Sequence, residues 1–132
     1  MEVVAVLGAS NDSSRYSNKC ISLLKEYGHT AVPINPREDE VQGLKAYKTL
    51  GELAKSGTKI DTVTVYVNSA ISEKFEHELV ALAPKRVIFN PGAESAGLEK
   101  SLTINGIKVE NACTLVLLRT DQFETSDDSS KH

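Results

Sequence analysis

Five short runs of β-branched and apolar residues recur along the chain, with about 20 to 30 residues from one run to the next. They are Val3–Leu7, Ala31–Asn35, Ile60–Val67, Arg86–Asn90 and Ile107–Asn111. Several are continuously apolar, which is typical of strands whose two faces are both covered by helices. Segments with the helical period lie between them. The pattern predicts an α/β, doubly wound fold with three layers and a mostly parallel five-stranded sheet.

Four intervening segments carry apolar residues at the spacing of helices. They cover about residues 14–27, 49–57, 69–83 and 94–105. The first segment is predicted to bury one face formed by Tyr16, Cys20, Leu23, Leu24 and Tyr27. Residues 113–119 fit either a short buried helix or a sixth strand, and periodicity leaves this open.

Right-handed crossovers between parallel strands give the expected topology. We predict the strand order 3-2-1-4-5, with a ligand crevice outside the carboxyl ends of strands one and four. The length of 132 residues fits one domain, which we place at residues 1–123. Residues 124–132 contain no apolar side chain, so we expect a disordered polar tail there.

Charge and composition exclude several classes of protein. A net charge of −3 and the lack of a basic tract argue against nucleic acid as a partner. The two cysteines have neither the spacing of a zinc site nor a signal peptide before them, so a disulfide scaffold is not expected. No apolar stretch approaches the roughly 20 residues that span a bilayer. We therefore expect a cytoplasmic protein without a membrane partner, and a homodimer as the default assembly.

The turn after the first predicted strand carries the strongest candidate chemistry. It reads Gly8-Ala9-Ser10, and Arg15 follows at the start of the first predicted helix. Small residues let backbone amides approach an anion, and a helix amino terminus attracts negative charge. Ser10 replaces the second glycine of a dinucleotide fingerprint, so the turn is not a standard NAD motif. Phosphate binding and a plain structural turn both stay open.

The second predicted strand ends in Asn35-Pro36-Arg37, where an NAD enzyme usually presents a carboxylate to the ribose. A guanidinium at this place suits a ribose phosphate instead, because arginine pairs with two phosphate oxygens. NADP and the 3′-phosphoadenosine of coenzyme A both carry such a group. A solvated arginine in a loop fixed by proline is the alternative.

Polar turns also follow the third and fourth predicted strands. Asn68 can line the crevice or cap the next helix, and Asn90 and Gly92 lie in the other turn. Cys113 is a candidate reactive thiol if a helix begins there, but a core role is the stronger interpretation because cysteine is usually buried. The three histidines do not converge, and the sequence shows no catalytic motif. The residues indicate a binding crevice without a catalytic set.

Four motifs together resemble the small single-domain CoA-binding proteins. They are Gly8-Ala9-Ser10 with Arg15-Tyr16-Ser17, Pro33-Ile34-Asn35-Pro36, Lys85 to Gly92, and Ala112 to Thr120. This family has the Rossmann-type fold of the CoA-binding domain of the succinyl-CoA synthetase α subunit. The chain departs from the family at Asn68, where relatives often have proline, and at Asp121, where we expect glycine.

The resemblance implies coenzyme A or an acyl-CoA as the ligand, held across the carboxyl edge of the sheet. Its phosphates would lie at Gly8, Ala9, Ser10 and Arg15, and the turn at residues 35–37 would face the adenosine. The same resemblance adds Ser17 to the candidate binding residues. Ligase activity is not expected, because a domain with a phosphorylated histidine is lacking. The alternative is an NAD(P)-binding oxidoreductase or redox sensor that uses the same crevice.

Overall fold

A computed structural model describes residues 1–124 of the chain, and the predicted disordered tail lies outside the described residues apart from Glu124. Five strands form one parallel sheet: β1 (Val3–Leu7), β2 (Thr30–Ile34), β5 (Thr62–Val65), β6 (Arg86–Phe89) and β7 (Lys108–Asn111). The predicted α/β class and the five-stranded parallel sheet are confirmed. Two further strands, β3 (Glu40–Val41) and β4 (Leu44–Lys45), form an antiparallel hairpin.

The described region contains six α-helices, of which the last follows the final strand. They are α1 (Tyr16–Glu26), α2 (Leu50–Lys55), α3 (Ser69–Ser72), α4 (Glu76–Leu82), α5 (Ala96–Ile104) and α6 (Thr114–Arg119). The predicted single helix at residues 69–83 is divided, because a 3₁₀ turn at Glu73–Phe75 separates α3 from α4. The segment that periodicity left open is helix α6.

The helices cover the sheet in two layers. Helices α1 and α6 contribute Cys20, Ile21, Leu24, Leu115 and Leu118 to the apolar core on one face. The core on the other face contains residues of α2, α4 and α5, namely Leu50, Leu53, Leu79, Leu98 and Leu102. With helices on both faces, the central strands bury both sides, and every residue of β5 and β6 is buried.

The predicted strand order 3-2-1-4-5 is wrong. The observed order is β2-β1-β5-β6-β7, so the third strand of the sheet pairs with β1 instead of lying outside β2. Pro33 in β2 explains the difference, because proline lacks an N–H and is tolerated on edge strands. Its carbonyl points away from β1 and accepts a hydrogen bond from Tyr47 N at 2.9 Å. The direction in which successive strands are added to the sheet therefore reverses between β1 and β5. The crevice lies at the carboxyl ends of β1, β5 and β6, so it includes the predicted ends of strands one and four and also the third strand, which lies between them.

The hairpin that sequence analysis missed lies beside the edge strand β2. Gln42 and Gly43 connect its strands with φ values of 53° and 78°. Two successive residues with positive φ are the signature of a tight hairpin turn that follows the twist of its strands. The Gln42 side-chain amide donates to Asn18 O at 2.9 Å and thereby ties the hairpin to α1.

A buried cation holds together the amino edge of the sheet. Arg86 is 1% exposed, and its guanidinium pairs with Glu2 at 3.3 Å and with Glu110 at 3.1 Å. Its Nε donates to Thr62 Oγ1 at 3.1 Å, and the guanidinium carbon lies 4.6 Å from the centre of the Phe123 ring. Breaking such a buried pair from one side costs more than the pair itself contributes, because it leaves a buried charge uncompensated.

We predict that Arg86→Met lowers the free energy of unfolding by about 3 kcal/mol, because it removes the guanidinium from two carboxylates at a buried site. Urea unfolding followed by circular dichroism measures the loss.

Lys85→Met is the matched control. Lys85 is the preceding residue and pairs with Asp61 at 3.4 Å, but its side chain is 63% exposed. An exposed pair contributes little, so we expect a loss of about 0.5 kcal/mol. Equal losses in the two variants would contradict the role given to Arg86.

Candidate functional site

The turn after β1 lies against the end of β5, and Gly8 makes this approach possible. Its φ is +91°, and a Cβ at this position would lie 2.9 Å from Val67 Cγ1. The amides of Gly8 and Ala9 both donate to Ile34 O at 3.1 Å. These two amides are therefore engaged within the fold, and the anion-binding groups of the turn must come from the residues that follow.

The amino terminus of α1 supplies such groups. Arg15 occupies the N-cap position in an extended conformation, and its side chain forms no capping hydrogen bond. Within residues 1–124, the amides of Ser10, Tyr16 and Ser17 have no hydrogen-bond acceptor. The first amides of a helix need an external acceptor and carry a partial positive charge, so this end of α1 is suited to an anion.

A cavity of about 290 Å³ opens in front of these amides; we call it the polar cavity because Ser10, Arg15, Ser17, Asn68 and Asn90 line it. Three strand ends contribute to it: Gly8 follows β1, Val67 and Asn68 follow β5, and Gly92 follows β6. The exposed Arg15 is the only charged residue that lines it in the described part of the chain. Because a cation and free amides face one space without a carboxylate, the electrostatics of the cavity favour a negatively charged group.

Asn90 joins the elements that form the cavity wall. Its side-chain amide donates to Thr64 Oγ1 at 2.7 Å and to Val65 O at 2.9 Å, and its oxygen accepts from Thr114 N at 2.9 Å. Thr64 and Thr114 also share a hydrogen bond of 2.8 Å. The residue is 3% exposed, so its polar atoms fix β5, β6 and the start of α6 relative to one another. Asn90 lines the site as a positioning residue.

A second cavity of about 330 Å³ adjoins the first. Four residues line both: Tyr16, Tyr66, Asn90 and Pro91. The remaining lining of the second cavity comes from Cys113 and three residues of α6, which are Leu115, Val116 and Arg119. Its walls are mostly apolar, so the site changes from polar to apolar along the carboxyl edge of the sheet.

Tyr66 lines both cavities, Cys113 lines the apolar one, and Cys20 lies behind them in the core. Burial raises the pKa of the Cys20 thiol to about 12 and also raises the pKa of Tyr66. The Tyr66 hydroxyl is buried beside Cys20 and Thr114. The core role predicted for Cys20 is confirmed, since Cys20 is fully buried. Cys113 is half-buried on the wall of the apolar cavity, and its reactivity stays a prediction.

The structure brings together seven of the predicted binding residues on the polar cavity: Gly8, Ser10, Arg15, Ser17, Asn68, Asn90 and Gly92. Asn68 also caps α3, because its side-chain oxygen accepts from Ile71 N at 3.0 Å. Four predicted residues do not line this cavity, namely Ala9, Asn35, Pro36 and Arg37. Asn35 instead holds the turn, donating to Ala9 O at 2.6 Å and accepting from Arg37 N at 2.7 Å.

Sequence analysis missed the aromatic residues of the site. Tyr16 was expected in the core, yet it is 68% exposed and lies at the mouth of both cavities. Tyr16 is the first residue of α1, and the buried face of this helix begins with Ser17 and Asn18 instead. Tyr66 directly follows the last residue of β5, whereas the third predicted strand extended to Val67 and placed Tyr66 inside it. No sequence signal identified Val116 and Arg119.

The described part of the chain contains neither a metal-binding cluster nor a membrane-spanning helix. Residues 1–124 contain no group of three or more histidine, cysteine, aspartate or glutamate side chains placed to hold a metal ion. Over the same residues, no helix has the length and apolar character needed to cross a membrane.

The order of the strands and the cavity at their carboxyl ends define a Rossmann-like α/β domain. Comparison with protein families then gives the particular group. Residues 2–119 match the family model of the CoA binding domain, and the chain belongs to this family.

Two relatives share parts of the sequence. Over 51 residues, the chain is 49% identical to the alpha subunit of the ADP-forming acetate–CoA ligase II of Pyrococcus furiosus. That match covers 38% of this chain and 11% of the ligase subunit, so the chain spans only a small part of that relative. Uncharacterized protein YneT of Bacillus subtilis is 29% identical over 119 residues, which cover 84% of this chain and 86% of YneT.

Solved structures share the whole fold. A crystal structure of an uncharacterized protein is 34% identical with a TM-score of 0.83, and the match covers 93% of this chain and 98% of that chain. The structure of cell-free ID.343 from Thermus thermophilus is 30% identical with a TM-score of 0.82, covering 92% and 90%. An acetyl-coenzyme A synthetase of Ca. Korarchaeum cryptofilum, 24% identical with a TM-score of 0.71, shows the fold alone over 84% of this chain and 25% of that one.

Proposed function

We propose that this chain binds coenzyme A, free or acylated, at the carboxyl edge of its sheet and catalyses no reaction of its own. The observation that carries this proposal is the uncapped amino terminus of α1, which faces a polar cavity together with Ser10 and Arg15. Membership of the CoA binding domain family identifies the class of ligand that this anion site would hold. The ligase relative is named for its use of CoA and adds support.

The pyrophosphate of CoA would accept hydrogen bonds from the free amides of Tyr16 and Ser17 and from the Ser10 hydroxyl. Arg15 would add a charge-assisted contact, which is stronger than one between neutral groups. This differs from the sequence-based expectation, because the amides of Gly8 and Ala9 are engaged with Ile34 O. Those two residues would shape the turn without donating to the phosphates.

The adenosine would lie towards Arg37, which is exposed on the turn after β2. Among residues 1–124, Arg37 forms no salt bridge, so its guanidinium is available for the 3′-phosphate. NADP, the alternative ligand suggested by the same arginine, has no support in the family match or in the named relatives. The cytoplasmic location and the homodimer stay predictions.

Arg15→Ala should weaken the binding of CoA about tenfold, because it removes one charge-assisted contact to phosphate. Isothermal titration calorimetry measures the dissociation constant. Lys100→Ala is the matched control, since it removes one exposed positive charge that lines neither cavity. If both variants bind CoA equally well, the proposed placement of the phosphates is wrong. If the wild-type chain binds NADPH more tightly than CoA, the proposed ligand is wrong.

Arg37→Ala should weaken CoA about fivefold, as expected for one exposed ion pair, and should leave dephospho-CoA unaffected. The two ligands differ only in the 3′-phosphate, so their comparison isolates the contact. Arg15→Ala should weaken both ligands to the same extent. Equal losses for the two ligands in Arg37→Ala would show that Arg37 acts elsewhere than on the 3′-phosphate.

A further inference from the structure

We propose that the apolar cavity is an acyl-group subsite, so that the chain binds CoA thioesters of short apolar acids more tightly than free CoA. The inference rests on the proposed function, since it requires the phosphates of CoA in the polar cavity. It names the class of acyl group that the site selects.

The chemistry of the lining favours an apolar occupant. Tyr66, Pro91, Leu115 and Val116 present mainly carbon surface to a cavity of about 330 Å³. Asn90 also lines it, but its amide and its oxygen are already used by β5 and α6. A polar group that enters this cavity would lose its hydrogen bonds to water and would find few replacements in the protein. Methylene groups would instead be stabilised by leaving water.

The position of the cavity indicates which part of the ligand reaches it. Tyr16, Tyr66, Asn90 and Pro91 line both cavities, so a molecule anchored at α1 can extend directly from the polar to the apolar space. In CoA, the pantetheine arm leads away from the pyrophosphate and ends in the sulfur that carries the acyl group. The arm would therefore enter the apolar cavity from the polar one, and we place the acyl group at its end against the wall formed by α6.

Arg119 is the one charged residue of the apolar cavity within the described residues, and it is exposed. A solvated guanidinium is screened by water and salt, so a carboxylate paired with Arg119 would gain about fivefold in affinity, as for Arg37. The burial of several methylene groups contributes more than such a pair. We therefore assign the subsite to acyl groups without a terminal charge.

The test is a series of dissociation constants for CoA, acetyl-CoA, butyryl-CoA and hexanoyl-CoA, measured by calorimetry. We expect the affinity to rise roughly tenfold for each two methylenes that the cavity buries. Succinyl-CoA matches butyryl-CoA in acyl length but carries a carboxylate, and we expect it to bind more weakly. Equal or tighter binding of succinyl-CoA would overturn the assignment to uncharged acyl groups.

Val116→Asp tests the location of the subsite. Val116 is 52% exposed on α6, so the fold should tolerate the change, while the new carboxylate enters the lining of the cavity. The dissociation constant of CoA divided by that of hexanoyl-CoA measures the preference for the thioester. We expect this ratio to fall by about tenfold or more, since a charge beside the acyl chain opposes its burial. The ratio is the informative quantity, because a general loss of binding affects both ligands.

Ile104→Asp is the matched control. Ile104 lies on α5, is 74% exposed and lines neither cavity, so this variant should keep the full ratio. An equal fall of the ratio in both variants would overturn the location on α6.

The outcomes separate the two proposals. If CoA binds and Arg15→Ala weakens it, while all thioesters bind as free CoA does, the acyl subsite is wrong and the proposed function stands. If neither CoA nor any thioester binds, both proposals fail.

Discussion

The hydrogen bonds of Asn90 are the constraint on which the geometry of the site depends. One side chain reaches two residues of β5 and the first amide of α6, and it does so from the end of β6. A buried polar network of this kind is stable only when each member is satisfied, so it allows one arrangement of these three elements. That arrangement gives the polar cavity one wall and places α6 as the wall of the apolar cavity.

The two edges of the sheet differ in how their arginines are used. At the amino edge, Arg86 is buried and paired with two carboxylates, and this stabilises the strand starts. At the carboxyl edge, Arg15, Arg37 and Arg119 are exposed and form no salt bridge among residues 1–124. All strands of the sheet are parallel, so the carboxyl end of every strand lies on the side with the unpaired cations, as does the amino terminus of α1.

Most of this fold could be predicted from the sequence, because apolar runs and helical periods depend on local residue order. The turn after β1 could also be predicted as part of the site, since glycine and small residues before a helix are a local signal. The strand order depends on a longer-range constraint: Pro33 marks β2 as an edge strand, and an order that places β2 inside the sheet conflicts with it. The apolar cavity and the role of Tyr16 could not be predicted, because they depend on how α6 and α1 meet across the sheet.

Chemical-shift mapping tests the central claim most directly. In a titration of the ¹⁵N-labelled chain with CoA, the binding of phosphates at α1 predicts the largest amide shifts at Ser10, Tyr16 and Ser17. Smaller shifts are expected after β6 and along α6. Shifts confined to the amino edge around Arg86, or no shifts at saturating CoA, would contradict the assignment of the ligand site.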